Sequence, residues 1–411
     1  MMCTKMTSYL PREIVPRLER ALKALPVVVL SGLRQSGKST LLQNEEAIVR
    51  GRNYRTLDDF GTLAVAQANP ESLLAGASIL DEVQRCPELL VAIKKSVDEG
   101  RRPGRYVLSG SANLALLGHV SETLAGRAAY FTLHPMTRRE IQGQTKKPPF
   151  ITSFLKSLDA PPGKATPISE QEVLTGGLPP VCLGSADGAS EWLRGYVQTY
   201  VERDVRQFSR ITDLVSFRTL AQMAALRTGQ VLAISSLAND AKLNAATARR
   251  YLNLLETSFL IRRLPPFLKN RGSRLVKSPK LYFTDSGLAA HLAGICSLDP
   301  GQDDLCRGAL FETYVAQNLT ALLEAHLPDA QMSFWQEQGR QEVDFVVEEG
   351  RKVCAIEVKA ATRWTEKDLS GLRAFIDRTS NCDKAVLAYN GEETVKLGEK
   401  LWAVPIGTLI G

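Results

Sequence analysis

At 411 residues the chain is longer than a typical domain of about 100 to 200 residues, so two to four domains are expected. Apolar residues make up 44% and charged residues 23%, the balance of an ordinary soluble protein, and no run of about 18 apolar residues suggests a membrane span. The net charge of +7 permits a polyanion partner without selecting one.

The start, MMCTKMTSYLPREIVPRLERALKAL, carries Pro, Glu and Arg at intervals and lacks the sustained apolar core of a secretory signal, so it reads as a leading helix of a cytoplasmic protein. Seven cysteines (Cys3, Cys86, Cys182, Cys296, Cys306, Cys354, Cys382) are scattered without a zinc-type pair and are expected to be reduced packing residues.

PVVVLSGLRQSGKSTLLQ is a β-branched run, a glycine-rich turn and an apolar-periodic segment, the strand, loop and helix of a phosphate-binding loop. The expected nucleotide contacts are Gly32, Leu33, Arg34, Gln35, Ser36, Gly37, Lys38, Ser39 and Thr40. The glycines let backbone N–H groups curl around phosphate oxygens, Lys38 reaches the outer phosphates, and Ser39 binds Mg2+. ATP and Mg2+ are therefore the expected cofactors. Downstream, ASILDEVQR gives an apolar strand ending in Asp81, expected in the metal shell, and Glu82, placed to polarise the attacking water. GRYVLSGSAN ends a third strand in Ser109, Ser111 and Asn113, any of which could sense the γ-phosphate. Arg127 closes the next helical stretch, where it could stabilise transition-state charge on a neighbour's nucleotide.

In this order, the phosphate-binding loop, LDEVQR, LSGSAN, LAGR and HPMTRREI resemble the AAA+ ATPases, and in particular a widespread, uncharacterised group of bacterial and archaeal ATPases with a shared C-terminal region. The resemblance implies a homo-oligomer, usually a hexameric ring, which would give Arg127 its neighbour.

Residues 143 to 170 are rich in Pro, Lys, Gly and Ser and mark a linker; TGGLPPV and WLRGYVQTYVERDVRQF follow, the latter apolar at helical spacing through Trp192, Leu193, Tyr196, Val197, Tyr200 and Val201. VLAISSLANDAKLNAATARRYLNLLETSFLIRRLPPF then reads as a helix capped by Ser235 or Ser236, a second helix from about Asn244, and a strand, with KLYFTD as its hairpin partner. That is a winged helix-turn-helix. Tyr251, Leu254 and Leu255 would face the core, Asn244, Thr247 and Arg250 the major groove, and the wing would offer Lys269, Arg271, Arg274 and Lys277 to phosphates. Such modules also serve as protein–protein elements.

The last segment places Glu312 on a long amphipathic helix, Asp344 on a hairpin strand, and Glu357 and Lys359 two apart on the next strand and so on one face. Converging carboxylates suit Mg2+, and a lysine beside them can orient a nucleophilic water. Helix Glu, hairpin Asp and Glu-x-Lys resemble the PD-(D/E)xK nuclease fold, and all four positions match its pattern.

The expected fold class is α/β, with a P-loop AAA+ core (1–150), a helical middle made of a linker and helical connector (151–209) and a winged helix (210–300), and a restriction-endonuclease-like α/β domain (301–411). The function expected is a DNA-associated ATPase that couples hydrolysis to DNA remodelling or translocation, such as strand separation or branch migration. An ATP-regulated metal-dependent nuclease and a nucleotide-dependent switch that binds a protein partner are the alternatives.

Overall fold

Val27, Val28, Val29 and Leu30 are all buried, as a strand covered on both faces requires. They form β1 (Val27–Ser31) of the first of two units into which the chain divides in the computed structural model, Met1–Met136 with Glu140–Thr145 and Thr137–Arg139 with Lys146–Gly411. The structure describes residues 9–111, 124–156, 164–184, 188–199, 213–268, 274, 277–299, 304–337 and 341–411.

In the first unit β1 is joined by β2 (Asn53–Thr56), β3 (Ser78–Asp81), β4 (Tyr106–Gly110) and β5 (Ala128–Thr132). All five pair in parallel, in the order β2-β3-β4-β1-β5. The edge strand β2 alternates exposed and half-buried residues, whereas β3 and β4 are buried at every position. Because the strands are parallel, the loops that follow β1, β3 and β4 leave from one edge, where ligands of open α/β sheets bind. The leading helix forms over Val15–Ala24 and buries Val15, Leu18 and Leu22.

Over the segment expected to be a winged helix, the second unit contains helices Leu214–Ala225, Ile234–Asp240 and Ala245–Thr257, with β6 (Gln230–Val231), β7 (Ile261–Leu264) and β8 (Lys280–Phe283) in an antiparallel sheet ordered β6-β8-β7. Two local expectations need correction. The helix Ile234–Asp240 is preceded by Ala233 and has no side-chain cap, so neither Ser235 nor Ser236 serves. On Ala245–Thr257 the buried residues are Ala248, Tyr251, Leu252 and Leu255, while Leu254 is half-buried.

The helix Asp304–His326 then leads into β9 (Gln331–Glu337), β10 (Gln341–Glu349), β11 (Lys352–Lys359), β12 (Cys382–Tyr389), β13 (Val395–Lys396) and β14 (Leu401–Pro405), a mixed sheet ordered β13-β14-β12-β11-β10-β9. Within this unit the segment after β7 runs into the C-terminal sheet: Phe334 N–H donates to Pro265 O at 3.0 Å, and Phe267 lies in the core with Val343, Val346 and Phe375.

The TGG turn has a partner far along the chain. Gly176 has φ +69°, and a Cβ there would stand 2.4 Å from Asp285 Oδ1. Asp285 accepts from Gly177 N–H at 2.7 Å and Leu288 N–H at 2.8 Å, so one buried carboxylate ties the turn to the start of the helix Ser286–Ala293. Burial pushes its pKa up to about 6, against the pull of those backbone N–H groups.

Of the described cysteines, Cys86, Cys354 and Cys382 are buried, Cys182 and Cys306 half-buried, and Cys296 exposed, so packing does not account for Cys296. Among the described residues no helix is long and apolar enough to cross a membrane.

Candidate functional site: a nucleotide site and an acidic centre

The loop after β1 is shaped by two glycines. Gly32 (φ +150°) lies against Leu133, and a Cβ there would meet the Leu133 carbonyl oxygen at 2.3 Å. Gly37 (φ 95°) is left-handed and opens the helix Lys38–Asn44. Lys38 is buried, and its ammonium folds back on the loop to donate to Gly32 O and Leu33 O, each at 2.9 Å. Burial lowers its pKa to about 8, opposed by the nearby carboxylates of Glu82 and Asp81. Leu33 and Ser36 are buried, Arg34, Gln35 and Thr40 exposed. Among the described residues Ser36 Oγ has no hydrogen-bond partner.

Asp81 at the end of β3 is 1% exposed and collects four donors. Ser39 Oγ at 2.6 Å and Tyr54 OH at 2.7 Å donate to Oδ2; Glu82 N–H at 3.0 Å and Ser109 Oγ donate to Oδ1. Burial and the Asp81 bond push the Tyr54 pKa up to about 12. Glu82 adopts φ 60° and ψ 41°, a left-handed conformation that costs a non-glycine residue about 1 to 2 kcal/mol. Its carboxylate, raised in pKa chiefly by burial, accepts from the Gln84 amide, which also donates to Ser111 Oγ at 3.1 Å.

Lys38, Ser39, Asp81 and Glu82 therefore converge. Ser109 acts as a holder of Asp81, so its buried hydroxyl is engaged away from any phosphate, while Ser111 stands beside Glu82; Asn113 lies outside the described residues. Arg127 is elsewhere. Its backbone accepts from Val27 N–H at the N-terminal edge of the sheet, opposite the loop, and its side chain binds Asp98 at 2.6 and 3.0 Å. It cannot serve its own chain's nucleotide.

Three residues at this site escape sequence reading. Tyr54 has only its place on an edge strand as a signal. Arg12, 5% exposed, donates to Ser36 O at 2.8 Å and His134 O at 2.7 Å and pairs with Glu140 at 3.0 Å, bracing the phosphate-binding loop from beneath. Glu140 also accepts from Glu13 N–H at 2.7 Å.

In the second unit the nuclease-like quartet is brought together, but with a cation already among its carboxylates. Lys280 Nζ, on a side chain 2% exposed, lies 3.0 Å from Glu312 Oε1 and 3.2 Å from Asp344 Oδ1, and pairs with Glu342 as well. Tyr282 OH donates to Glu312. Asp344, at a register shift between β9 and β10, accepts from Val358 N–H at 2.9 Å. Lys359 binds Glu357 at 2.7 Å, and the buried Glu357 Oε2 has no hydrogen-bond partner among the described residues. Burial first, then the Asp344 charge, pushes Glu312 up to about 7 and Glu357 well above the usual carboxylate range. Among the described residues no group of three His, Cys, Asp or Glu is placed to hold a metal ion. With Lys280 among them, the residues of the expected metal site do not fit a divalent cation.

The expected DNA contacts divide. Asn244 caps the helix Ala245–Thr257, its side chain accepting from Thr247 N–H at 2.8 Å. Arg250 and its neighbour Arg249 are exposed, as are Lys242 and Lys277. Arg274 is withdrawn from the surface: its guanidinium pairs bidentately with Glu348, donates to Leu268 O at 2.8 Å and lies 4.7 Å from the Phe267 ring centroid. Lys269 and Arg271 lie outside the described residues.

Comparison with known proteins bears on the whole chain. The uncharacterized proteins Rv2008c of Mycobacterium tuberculosis and Mb2031c of Mycobacterium bovis are each 30% identical over 404 residues, covering 97% of this chain and 84% of theirs. The chain belongs to the family of Rv2008c. A protein of Haemophilus influenzae is 22% identical over 295 residues, covering 65% of this chain and 69% of its own. An AAA domain matches residues 25–142, and two domains of unknown function, DUF8612 and DUF4143, match residues 167–299 and 307–409. Among solved structures, a Walker-type ATPase of Pyrococcus abyssi aligns at 15% identity, TM-score 0.44, over 70% of this chain and 97% of its own. The RuvB Holliday junction branch migration motor of Thermotoga maritima aligns at 18%, TM-score 0.30, over 63% and 92%.

For this member of the Rv2008c family the AAA domain implies ATP binding with Mg2+ and ATPase activity. The residues fit: a Ser36 hydroxyl without a partner among the described residues and an ammonium held by its own loop can take phosphate oxygens, and the Ser39–Asp81 pair offers the hydroxyl and carboxylate that Mg2+ takes at such a site. Bound Mg2+ neutralises phosphate charge there.

Proposed function

We propose that the chain is a DNA-associated AAA ATPase that couples ATP hydrolysis to the remodelling or translocation of DNA. The observation that carries the ATPase half is the convergence on one sheet edge of Lys38, the fourfold-held Asp81, and Glu82 in a strained backbone beside Ser111 and Gln84. Lys38 holds the outer phosphates, Ser39 and Asp81 hold the metal shell, and Glu82 orients the attacking water. Arg127, at the opposite edge, acts on a neighbouring copy's nucleotide in a homo-oligomer, for which it must leave Asp98. Support for DNA comes from exposed basic residues: Arg249 and Arg250 on the helix Ala245–Thr257, Lys242 just before it, and Lys277 in the segment before β8. The nuclease alternative lacks comparable support, because Lys280 stands among its carboxylates.

The test is steady-state ATP turnover with and without duplex, forked and single-stranded DNA, for the unmodified protein and Lys38→Ala. Turnover that rises with DNA and falls by about 100-fold or more in the variant is expected. Retained turnover in Lys38→Ala would remove the site assignment. Lys38-dependent turnover indifferent to every DNA would leave an ATPase whose winged helix serves a protein partner.

A further inference from the structure

We propose that the Lys280 ammonium is the resident cation of the C-terminal acidic centre, so that the segment with the nuclease-like pattern works as an ionic joint to the winged helix and holds no catalytic metal. The proposal is independent of the ATPase reading.

An ammonium group has three N–H donors and no acceptor. Three carboxylates, those of Glu312, Glu342 and Asp344, surround that of Lys280. Its donors are thereby matched, and the Phe334 ring, with its centroid 5.8 Å from Nζ, adds a cation–π contact. Mg2+ asks for six oxygens at about 2.0 to 2.1 Å in octahedral array. It would have to draw on the same Glu312 and Asp344 oxygens, and binding it would strip a buried ammonium of its partners. Such uncompensated burial of charge is strongly unfavourable.

Lys280 and Tyr282 are two apart on β8 and so share one face, and Tyr282 also binds Glu312. This face of the winged-helix sheet is thus built to receive the carboxylates. Glu357, the remaining acidic member of the quartet, is engaged by Lys359. A second charged pin runs in the same sense: Arg274, from the segment that leads to β8, holds Glu348 further along β10. The winged helix supplies both cations, and β10 supplies Glu342, Asp344 and Glu348. Two cation-to-β10 pins side by side are what a joint requires, and a hydrolytic centre requires neither.

Mn2+ binding to the nucleotide-free full chain, followed by electron paramagnetic resonance, tests the proposal, with Asp344→Asn as the marker of this centre. The unmodified protein is expected to show no Mn2+ binding that Asp344→Asn removes. Lys280→Ala, which vacates the position, should gain one bound Mn2+ per chain that disappears when Asp344→Asn is added, whereas Lys280→Arg should gain none. Folding of each variant is checked by circular dichroism and by ATP turnover, which should stay unchanged because Lys280 takes no part in the nucleotide site. Mn2+ binding by the unmodified protein that Asp344→Asn abolishes would overturn the proposal. So would a folded Lys280→Ala that binds no Mn2+. Should Lys280→Ala fail to fold, Lys280→Met, which keeps the aliphatic stem, takes its place; the comparison of the unmodified protein with Asp344→Asn decides even if both fail.

Discussion

Lys38 is an ammonium held in its own loop by two carbonyl oxygens while burial drives its pKa down to about 8. The unfolded chain, with a lysine near 10.5, binds more protons than the folded one between these values, so the Lys38 contribution to stability rises with pH from about 8 to 10.5. Phosphate oxygens reverse the balance by favouring the charged form. Below about pH 8 the group is already protonated and ATP binding needs no proton from solution; above it, binding takes one up and weakens as pH rises. Calorimetry in two buffers of different ionisation enthalpy should therefore show proton uptake on ATP binding near pH 9 and almost none at pH 7. Lys38→Ala should abolish the difference, and equal uptake at both pH values would contradict the assignment. The phosphate-binding lysine was legible in sequence because the motif is local. Arg12 was not: its partners Ser36 and His134 lie 24 and 122 residues away, so only the folded chain shows that it braces the loop.

At the scale of elements, periodicity and punctuation carried well where elements are long and their partners near. The β-branched run before the loop, the helix Asp304–His326 and the strands around Asp344 and Glu357 stand where apolar spacing puts them. The two-residue strands β6 and β13 are too short to leave a periodic trace. The wing shows a different failure. A basic loop reads as a phosphate contact because sequence shows charge but not its partner, and for Arg274 that partner is Glu348, 74 residues on. The pair is nearly buried, with side chains 10% and 13% exposed, so removing the arginine leaves Glu348 an uncompensated charge. Arg274→Ala should accordingly cost about 3 kcal/mol in a denaturant titration of the second unit while leaving DNA affinity unchanged. A stable variant with weakened DNA binding would restore the surface role.

For the molecule as a whole, the order of segments along a chain does not tell how independent they are. The sequence suggests a boundary near residue 300, yet Phe267, just after β7, packs in the C-terminal core, and Lys280 and Arg274 hold β10, so contacts that cross that boundary make one unit of both segments. The same pairing changes what the net charge of +7 can mean. Arginines and lysines committed to internal carboxylates release no counterions when a polyanion binds; exposed ones do, and each phosphate neutralised steepens the fall of log affinity with log salt by about 0.9 on B-form DNA. Arg249 and Arg250 are exposed on the helix Ala245–Thr257, and Arg274 is not. In a salt titration of duplex binding, Arg249→Glu with Arg250→Glu should therefore flatten the slope by about 2, whereas Arg274→Ala should leave it alone. A slope unaffected by the double charge reversal would place any DNA contact elsewhere on the chain and leave this helix to a protein partner.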